Sequence, residues 1–252
     1  MRIFVEIDAD AIGRRAADTV VEALGRRADA VLGVATGSSP LPAYAELARR
    51  VAAGALELRR VSAFALDEYL GLPADDPRSY AATVHRTVTV PLRLDPARVH
   101  VPPGDAADPD AAALAYDAGI AAAGGVDVQI VGIGSNGHLA FNEPGSPLDS
   151  RTRVARLSER TRADNSRYFA DPDEVPTHCI TQGLGTIRAA RRLVLIAQGA
   201  GKADAVARAV RGPIGPDCPA SIVQSHPDAL LVLDRAAAAG LGGADQSRNE
   251  RE

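Results

Sequence analysis

Short apolar runs alternate with helical patterns along most of this chain. The runs are RIFVEI, AVLGVA, VSAFAL, VDVQIVGI, RRLVLIA and ALLVLD. Between them the spacing predicts helices over residues 10–27, 42–53, 110–123, 183–190 and 202–211. The runs are apolar on both faces, which is typical of strands covered by helices on each side. The alternation therefore predicts an α/β fold, with a doubly wound, mainly parallel sheet between two layers of helices.

The chain of 252 residues is compatible with one large domain or two small ones, and no internal repeat divides it. We expect one Rossmann-like, three-layer domain over residues 1–236. Within it, residues 151–176 are rich in arginine and aspartate and have weak apolar periodicity. This segment is interpreted either as a lid over the functional site or as a solvated helix and loop. Residues 237–252 are predicted to form a disordered tail.

The charge and the apolar pattern argue against several classes of protein. The formal net charge is −4, which does not favour nucleic acid or an anionic membrane as a partner. No run approaches the ~18 consecutive apolar residues of a membrane-spanning helix. A signal-peptide pattern is also not visible at the start, so we expect a cytoplasmic protein. Cys179 and Cys218 have no CxxC spacing and indicate neither a disulfide framework nor a zinc site.

Four loops that follow predicted strands are rich in polar residues. They contain TGSSP, DEYLGL, GIGSNGHLAFNEPGS and QGAGK. Ligands of doubly wound sheets bind beyond the carboxyl ends of the strands, so these loops are the candidate site. A nucleotide site is not favoured, because the glycine pattern of GIGSNG does not open a helix and no GxxxxGK[ST] occurs.

The TGSSP loop and Lys202 are candidates for binding a phosphate group. Gly37, Ser38 and Ser39 precede a predicted helix, whose N-terminal amides and serine hydroxyls suit an anion. An ordinary helix cap is an equally good interpretation of this loop. Lys202 is the one lysine among 28 basic residues and lies where a post-strand loop opens a helix. A compact ammonium group fits a phosphate ligand, although chance placement is the alternative.

Asp67 and His138 are candidates for acid–base chemistry. Asp67 leaves a predicted strand among apolar neighbours, where burial would raise the pKa of its carboxyl and suit it to act as a base. A turn aspartate is the alternative. His138 lies in a glycine-flanked loop with Asn136 before it and Glu143 after it, and a carboxylate can orient an imidazole. The chain has no HExxH or GxSxG string, so neither a metal site nor a serine hydrolase is expected.

The strings FALDEYLGL, GSNGHLAFNEPGS and TRADNSRYF resemble the glucosamine-6-phosphate deaminase family. The resemblance runs over roughly residues 1–234, and VATGSSPLPAY is similar to the phosphate loop of that family. The sister family, 6-phosphogluconolactonase, shares the fold, but its related motif usually continues as GHxASLFP. Phe141, Asn142 and Glu143 stand here instead, which favours the deaminase family.

The resemblance implies conversion of D-glucosamine 6-phosphate and water to D-fructose 6-phosphate and ammonia, by one catalytic domain without a cofactor or metal. Asp67 would be the base that moves a proton from C2 to C1, and His138 would open the sugar ring. Asn136 and Glu143 would hold His138. The phosphate of the substrate would be bound by Ser38, Ser39, Arg167 and Lys202, with Gly37 in the same loop.

Two departures from the family pattern bear on regulation. Some members have aspartate at the position of Asn136, so His138 here has one fewer negative charge beside it. Some members also have an allosteric site for N-acetylglucosamine 6-phosphate. Ser146 and Arg153 match it, but Ala155 stands where a lysine would be and the tail has no tyrosine. We therefore expect little or no allosteric activation.

Three further points stay open from the sequence. A lactonase or isomerase acting on another phosphosugar is one alternative function. A non-catalytic phosphosugar sensor is another, although no DNA-binding segment accompanies the domain and the acid–base residues are all present. The chain could also form a homo-oligomer, because the family includes hexamers and smaller forms.

Overall fold

The structure of the protein is a computed structural model, which describes residues 1–242. Its strands, in chain order, are β1 (Arg2–Glu6), β2 (Val31–Val34), β3 (Ser62–Ala65), β4 (Asp67–Tyr69), β5 (Val99–His100), β6 (Val128–Gly132), β7 (Arg153–Arg156), β8 (His178–Thr181), β9 (Arg192–Ala197) and β10 (Ala229–Asp234). Its α-helices are α1 (Ala9–Leu24), α2 (Leu41–Ala52), α3 (Tyr80–Val84), α4 (Pro109–Ala122), α5 (Glu159–Asn165), α6 (Leu184–Arg188) and α7 (Ala203–Arg211).

Within the described chain, a seven-stranded sheet has the order β1-β10-β9-β6-β2-β3-β5, and each neighbouring pair is parallel. The six apolar runs of the sequence supply six of these strands, and each predicted helix overlaps an observed one. The predicted α/β class with a mainly parallel sheet is therefore confirmed. None of the helices in residues 1–242 is both long and apolar enough to cross a membrane.

Alternating side chains of the central strands pack into two cores, one on each face of the sheet. On β9, for example, Val194 and Ile196 join one core, whereas Leu193 and Leu195 join the other. The first core contains apolar residues of α1 and α2, and the second contains those of α6 and α7. Because successive side chains of a strand point to opposite faces, a strand buried on both sides is apolar at most of its positions.

A second sheet was not predicted. Its three strands among the described residues have the order β4-β8-β7, and both pairs are antiparallel. These strands are short, and two of them, DEY and RVAR, are rich in charged residues. The apolar patterns that reveal a buried strand are therefore missing from their sequences. The second sheet is important for function because β4 begins at Asp67.

The predicted lid segment, residues 151–176, contains β7, α5 and two 3₁₀ turns, Ser166–Tyr168 and Pro172–Glu174. Its β7 strand pairs with β8, and Ser158 caps α5 by accepting a hydrogen bond from the amide of Thr161. The segment is thus attached to the domain through the second sheet. Whether it moves stays a prediction.

A disordered tail was predicted over residues 237–252, but the first residues of this range are packed against the domain. Ala237, Ala238 and Leu241 are buried in the core beside α7, and a 3₁₀ helix spans Ala239–Leu241. These residues are apolar and pack in the core, but the segment is too short to show a helical pattern in the sequence. The rest of the predicted tail, residues 243–252, lies outside the described residues.

Candidate active site

A cavity of about 620 Å³ lies at the carboxyl ends of β2, β3, β6 and β9. The loops after these strands form much of its wall, together with α3 and the segment that contains α5. Of the residues singled out in the sequence, it is lined by Gly37, Ser38, Ser39, Asp67, His138, Arg167 and Lys202. The structure thus brings the candidate base, the candidate imidazole and the candidate phosphate ligands to one hollow.

Asp67 lies in the wall of this cavity with only 5% of its surface exposed. It follows β3 after a single residue and pairs with Thr181 of β8, so backbone pairing on the second sheet fixes its position. Burial and the neighbouring carboxylate of Glu68 raise the pKa of Asp67 to about 8. A carboxylate that is ionised only near pH 8 is a much stronger base than an exposed aspartate.

Glu68 points away from the cavity, because adjacent side chains of a strand face opposite sides. Its carboxylate accepts hydrogen bonds from the backbone amides of Tyr69, Tyr80 and Ala81, at 2.7 to 2.9 Å. These contacts tie β4 to the start of α3, which forms part of the cavity wall. These contacts could not be predicted from the sequence, because the helix that supplies two of the amides lacks an apolar repeat.

His138 is held by a tight turn after β6. The amide of Gly134 donates to the carbonyl of His138 at 2.9 Å, and the amide of His138 donates to Asn136 Oδ1 at 3.2 Å. A Cβ atom at Gly134 would lie 2.4 Å from the imidazole ring, so any larger residue there would displace the ring. The imidazole is partly exposed, with Nδ1 3.6 Å from Glu143 Oε1. At this distance the two groups form an ion pair when His138 is protonated, but not a hydrogen bond.

Asn136 and Glu143 lie behind His138 and are not part of the cavity wall. Asn136 Nδ2 donates to Glu143 Oε2 at 2.7 Å, while the hydroxyls of Ser158 and Thr161 donate to Oε1. Burial raises the pKa of Glu143, but the interactions with His138, Thr161 and Asn136 outweigh it and lower the pKa to about 2. At neutral pH Glu143 is therefore an ionised carboxylate that accepts several hydrogen bonds and faces the imidazole.

Two loops and one helical segment bring positive charge and hydroxyl groups to the other part of the cavity. Ser38 and Ser39 follow β2 just before α2, and Lys202 follows β9 just before α7. Burial lowers the pKa of Lys202, and the carboxylate of Asp164 opposes that change. The guanidinium of Arg167 lies over the ring of Tyr168, 4.8 Å from its centroid. Hydroxyls, helix N-termini and cations in one place suit a phosphate group.

Several cavity residues were missed in the sequence. Tyr80 stacks on Phe141 with ring centroids 5.8 Å apart, and its hydroxyl donates to that of Tyr69 at 3.2 Å. Arg86 lies on a π-helical turn, His85–Thr89, and also lines the cavity. Thr161 connects α5 to Glu143. A π turn at a cavity is a known structural signal of a functional site, but no sequence pattern announces it.

The other histidines and the cysteines lie outside the acid–base pair. His226 is buried and its Nε2 lies 2.8 Å from the carbonyl of Ala190, while His100 stacks on Phe64. Cys179 and Cys218 are free and buried. Within residues 1–242, no three or more His, Cys, Asp or Glu side chains are grouped so that they could hold a metal ion.

Comparison with known proteins identifies relatives over nearly the whole chain. A family model described as glucosamine-6-phosphate isomerases/6-phosphogluconolactonase matches residues 7–232. The glucosamine-6-phosphate deaminase of Cutibacterium acnes is 56% identical over 248 residues, which cover 98% of this chain and 95% of that protein. The enzyme of the same name from Streptomyces coelicolor is 50% identical over 250 residues, which cover 99% and 96% of the two chains.

Solved structures show the same architecture. A monomeric glucosamine-6-phosphate deaminase matches 95% of this chain and 100% of its own, with a TM-score of 0.92 and 36% identity. The 6-phosphogluconolactonase of Trypanosoma brucei matches 95% of this chain and 98% of its own, with a TM-score of 0.76 and 20% identity. The second likeness is informative about the fold alone.

Proposed function

We propose that this chain, which belongs to the family of glucosamine-6-phosphate isomerases and 6-phosphogluconolactonases, is an enzyme. Its proposed reaction is the deamination of D-glucosamine 6-phosphate. The products are D-fructose 6-phosphate and ammonia, and one water molecule is consumed, so the overall reaction is a hydrolysis of the C2–N bond with isomerisation. Relatives of this activity at 50 to 56% identity over nearly the full length support the assignment.

The single observation that carries the proposal is the convergence of Asp67 and His138 on one cavity that also holds the cations Lys202 and Arg167. An aldose–ketose isomerisation needs a base beside C2 and a group that opens the sugar ring. A phosphate group bound at the far end of the substrate can orient the reacting carbons. The wall of this cavity offers all three functions.

In the proposed reaction, His138 transfers the proton of the C1 hydroxyl to the ring oxygen, and the bond between C1 and the ring oxygen breaks to open the pyranose. Asp67 then removes the proton from C2 of the open-chain aminoaldose, the electron pair shifts toward C1, and the C1 oxygen takes up a proton in exchange for one that the amino nitrogen later loses, which gives an enolamine. Asp67 returns a proton to C1, which produces a C2 imine. Water adds to C2, and ammonia leaves as the ketone of fructose 6-phosphate forms. Positioned acid–base groups typically contribute ~10² to 10⁴-fold each to the rate.

Asn136 and Glu143 are proposed to position His138. Glu143 is ionised and its Oε1 lies 3.6 Å from Nδ1 of the imidazole, so the carboxylate can orient the ring. Asn136 binds both the second oxygen of Glu143 and the amide of His138, which fixes the two residues relative to each other. The amide of Asn136 contributes no charge of its own.

The phosphate of the substrate is proposed to bind Lys202, Arg167 and the loop of Gly37, Ser38 and Ser39. This subsite combines a partly buried ammonium with a guanidinium and the N-terminus of α2. An ionised phosphate crosses a lipid bilayer only at a high cost in free energy, so a phosphosugar is expected to stay in the compartment in which it is formed. We accordingly propose a cytoplasmic role in the breakdown of amino sugars, including those derived from N-acetylglucosamine.

The proposal is tested by supplying purified protein with glucosamine 6-phosphate and measuring ammonia and fructose 6-phosphate in coupled assays, without added metal. We expect both products in equal amounts. Hydrolysis of 6-phosphogluconolactone without ammonia release would contradict the deaminase assignment in favour of a lactonase. Binding of phosphosugars with no turnover would contradict it in favour of a sensor.

A further inference from the structure

Glu68 is a buried carboxylate that the proposed reaction does not use. Only 1% of its surface is exposed, and it lies next to Asp67 on β4. Its Oε1 accepts from the amides of Tyr69 at 2.8 Å and Tyr80 at 2.9 Å, and its Oε2 accepts from the amide of Ala81 at 2.7 Å. Three backbone donors on two oxygens match an acceptor-only carboxylate better than a protonated acid.

Two of the three amides bound by Glu68 belong to the first turn of α3. Tyr80 and Ala81 are the first two residues of the helix, and Ser79 accepts from the third amide, that of Ala82, at 2.9 Å. Helix N-termini leave such amides without a partner inside the helix, so side chains must bind them. Glu68 therefore holds the beginning of α3 against β4.

The segment anchored in this way forms one side of the cavity. Its lining residues are Pro77, Arg78, Tyr80, Thr83, Arg86 and Thr87. The ring of Tyr80 is nearly parallel to that of Phe141, with an angle of 10° between the planes. Because Phe141 lies three residues after His138, the anchored helix touches the loop that carries the candidate imidazole.

A second connection joins the two halves of the site at the same place. Thr181 pairs with Asp67 across the second sheet, and its hydroxyl accepts a hydrogen bond from the amide of Phe141 at 3.3 Å. Gly104 packs against this corner, where an added Cβ would lie 2.3 Å from the carbonyl of Tyr69 and 3.1 Å from Cγ of Glu68. The corner leaves little space for Glu68 to adopt another position.

We propose that Glu68 is a positioning residue for the deaminase reaction: by binding the first turn of α3 it sets the distance between Asp67 and the His138 loop. This inference rests on the proposed function. Glu68 does not touch the substrate, so its effect on catalysis is exerted through Asp67, Tyr80 and Phe141.

Glu68 also acts on Asp67 through its charge, since it is the neighbouring charge that adds to burial in raising the pKa of Asp67. The other titratable groups that interact with Asp67 come from β4, α3, α4 and β8. They are Tyr69, Tyr80, Tyr116 and Cys179. Burial raises the pKa of each of these four, so they stay neutral where Asp67 titrates. His138 and Lys202 face the same cavity. Burial raises the pKa of Glu68 itself, its three backbone hydrogen bonds oppose that rise, and the charge of Asp76 adds to it.

The test is the pH profile of kcat and kcat/KM for Glu68→Gln. Glutamine keeps one acceptor oxygen but presents an amide donor to the amide of Ala81, and it removes the charge. We expect kcat to fall about 10- to 100-fold, as for a small displacement of catalytic groups. We expect KM to change by less than about threefold, because the phosphate subsite is untouched. The acid limb of kcat/KM should move to lower pH, because Asp67 loses a repelling neighbour.

Two matched variants separate charge from geometry. Asp75→Asn removes an exposed acid from the loop before α3 and should leave all three quantities unchanged. Glu68→Asp keeps the charge but is one methylene shorter, so kcat should fall while the acid limb stays in place. A folded Glu68→Gln enzyme with wild-type kcat and an unmoved acid limb would overturn the proposal. Loss of folding in both Glu68 variants would show a purely structural role and would also overturn it.

Hydrogen exchange measures the anchor without reference to the reaction. In Glu68→Gln, the amides of Tyr80 and Ala81 should exchange faster than in the wild type, whereas Asp75→Asn should leave them protected. If the wild-type protein releases no ammonia, the proposed function fails, and the exchange result still decides whether Glu68 holds α3. Unchanged protection of these amides would contradict the anchor itself.

Discussion

At the scale of single residues, the candidate site contains two carboxylates whose surroundings shift their pKa values in opposite directions. Burial and the nearby Glu68 raise the pKa of Asp67 to about 8. Glu143 is also partly buried, but its hydrogen-bonded neighbours lower its pKa to about 2. Pairs of titratable groups driven apart in this way identify a base and a fixed charge. Asp67 can exchange a proton near neutral pH, whereas Glu143 keeps its charge.

The raised pKa of Asp67 implies that the base lowers the stability of the fold. An unfolded aspartate loses its proton near pH 3.8, but the folded chain keeps it up to about pH 8. Between these values the folded state binds more protons, so its stability falls as pH rises. Asp67→Asn should therefore be inactive but more stable than the wild type, by a few kcal/mol (order of magnitude) above pH 8.

Thermal unfolding at pH 6 and pH 9 checks this prediction. The gap in Tm between Asp67→Asn and the wild type should be wider at pH 9, because asparagine does not titrate. Asp75→Asn, which removes an exposed carboxylate nearby, should show no such gap. An equal or narrower gap at pH 9 would be inconsistent with a buried base of raised pKa.

The turn that carries His138 allows a steric prediction. In Gly134→Ala the new methyl group would lie 2.4 to 2.5 Å from imidazole atoms, so the ring must move. We expect kcat to fall about 100-fold, with binding of inorganic phosphate retained. Steady-state kinetics and a phosphate titration measure the two effects. Gly215→Ala, where a Cβ meets nothing within 4 Å, is the control, and equal kcat values for the two variants would contradict the prediction.

The sequence was sufficient to select Asp67 and His138 for a physical reason. Both follow apolar runs that must be buried strands, and strands of one parallel sheet end at one edge. The partners of these residues were harder to predict. Thr161 and Tyr80 come from short helices that show no apolar repeat. Only the tertiary packing of those helices brings them to the cavity.

At the scale of elements, α5 connects the predicted lid segment to the His138 loop. Thr161, on its first turn, donates to Glu143, and Asp164 and Arg167 farther along line the cavity. The far end of the same segment is attached through Arg78, whose Nη1 lies 2.8 Å from Glu174 Oε2. The segment thus contacts both the loop of the imidazole and the wall that Glu68 anchors.

Thr161→Val tests whether this connection matters for turnover. Valine keeps the branched shape but removes the hydroxyl that donates to Glu143. A hydrogen bond to a charged group contributes ~1.5 to 3 kcal/mol, so we expect kcat to fall about tenfold or more with little change in KM. Ser166→Ala is the control, because Ser166 bonds only within the segment, to the carbonyl of Ala163. An unchanged kcat in Thr161→Val would exclude a role for this contact.

Six of the seven strands of the large sheet were predictable, whereas the two-residue edge strand β5 and the strands of the small sheet were not. Strands such as β9, RLVLIA, are buried on both faces and are apolar on both faces after Arg192. In β4 and β7, by contrast, polar and charged side chains serve the site or the surface. Composition therefore distinguishes a central strand from a loop, but it does not distinguish a short, polar strand from a loop.

At the scale of the whole molecule, the proposed phosphate subsite coexists with a net charge of −4. Positive side chains are gathered at one edge of the sheet, where Lys202, Arg167 and Arg86 line the cavity. Elsewhere, arginines such as Arg50 and Arg192 pair with carboxylates. Local arrangement rather than net charge therefore determines which ligand the molecule attracts.

Arg153 stands at a position that belongs to an allosteric site in part of the family. Here its side chain forms hydrogen bonds within the protein. Its guanidinium donates to Asn142 Oδ1 at 2.8 Å and to Ser146 Oγ at 3.3 Å. We therefore expect hyperbolic kinetics that N-acetylglucosamine 6-phosphate does not change. Initial rates over a range of substrate concentrations, with and without that compound, measure this. Sigmoidal kinetics that become hyperbolic on its addition would contradict the prediction.

The most direct test of the account follows the hydrogen at C2 of the substrate. Glucosamine 6-phosphate carrying deuterium at C2 is incubated with the wild type and with Asp67→Asn, and NMR records where the label goes. The account predicts that the wild type moves the deuterium to C1 or to solvent, while Asp67→Asn leaves it at C2 and still binds inorganic phosphate. Loss of the label at the wild-type rate in Asp67→Asn would contradict the assignment of Asp67 as the base.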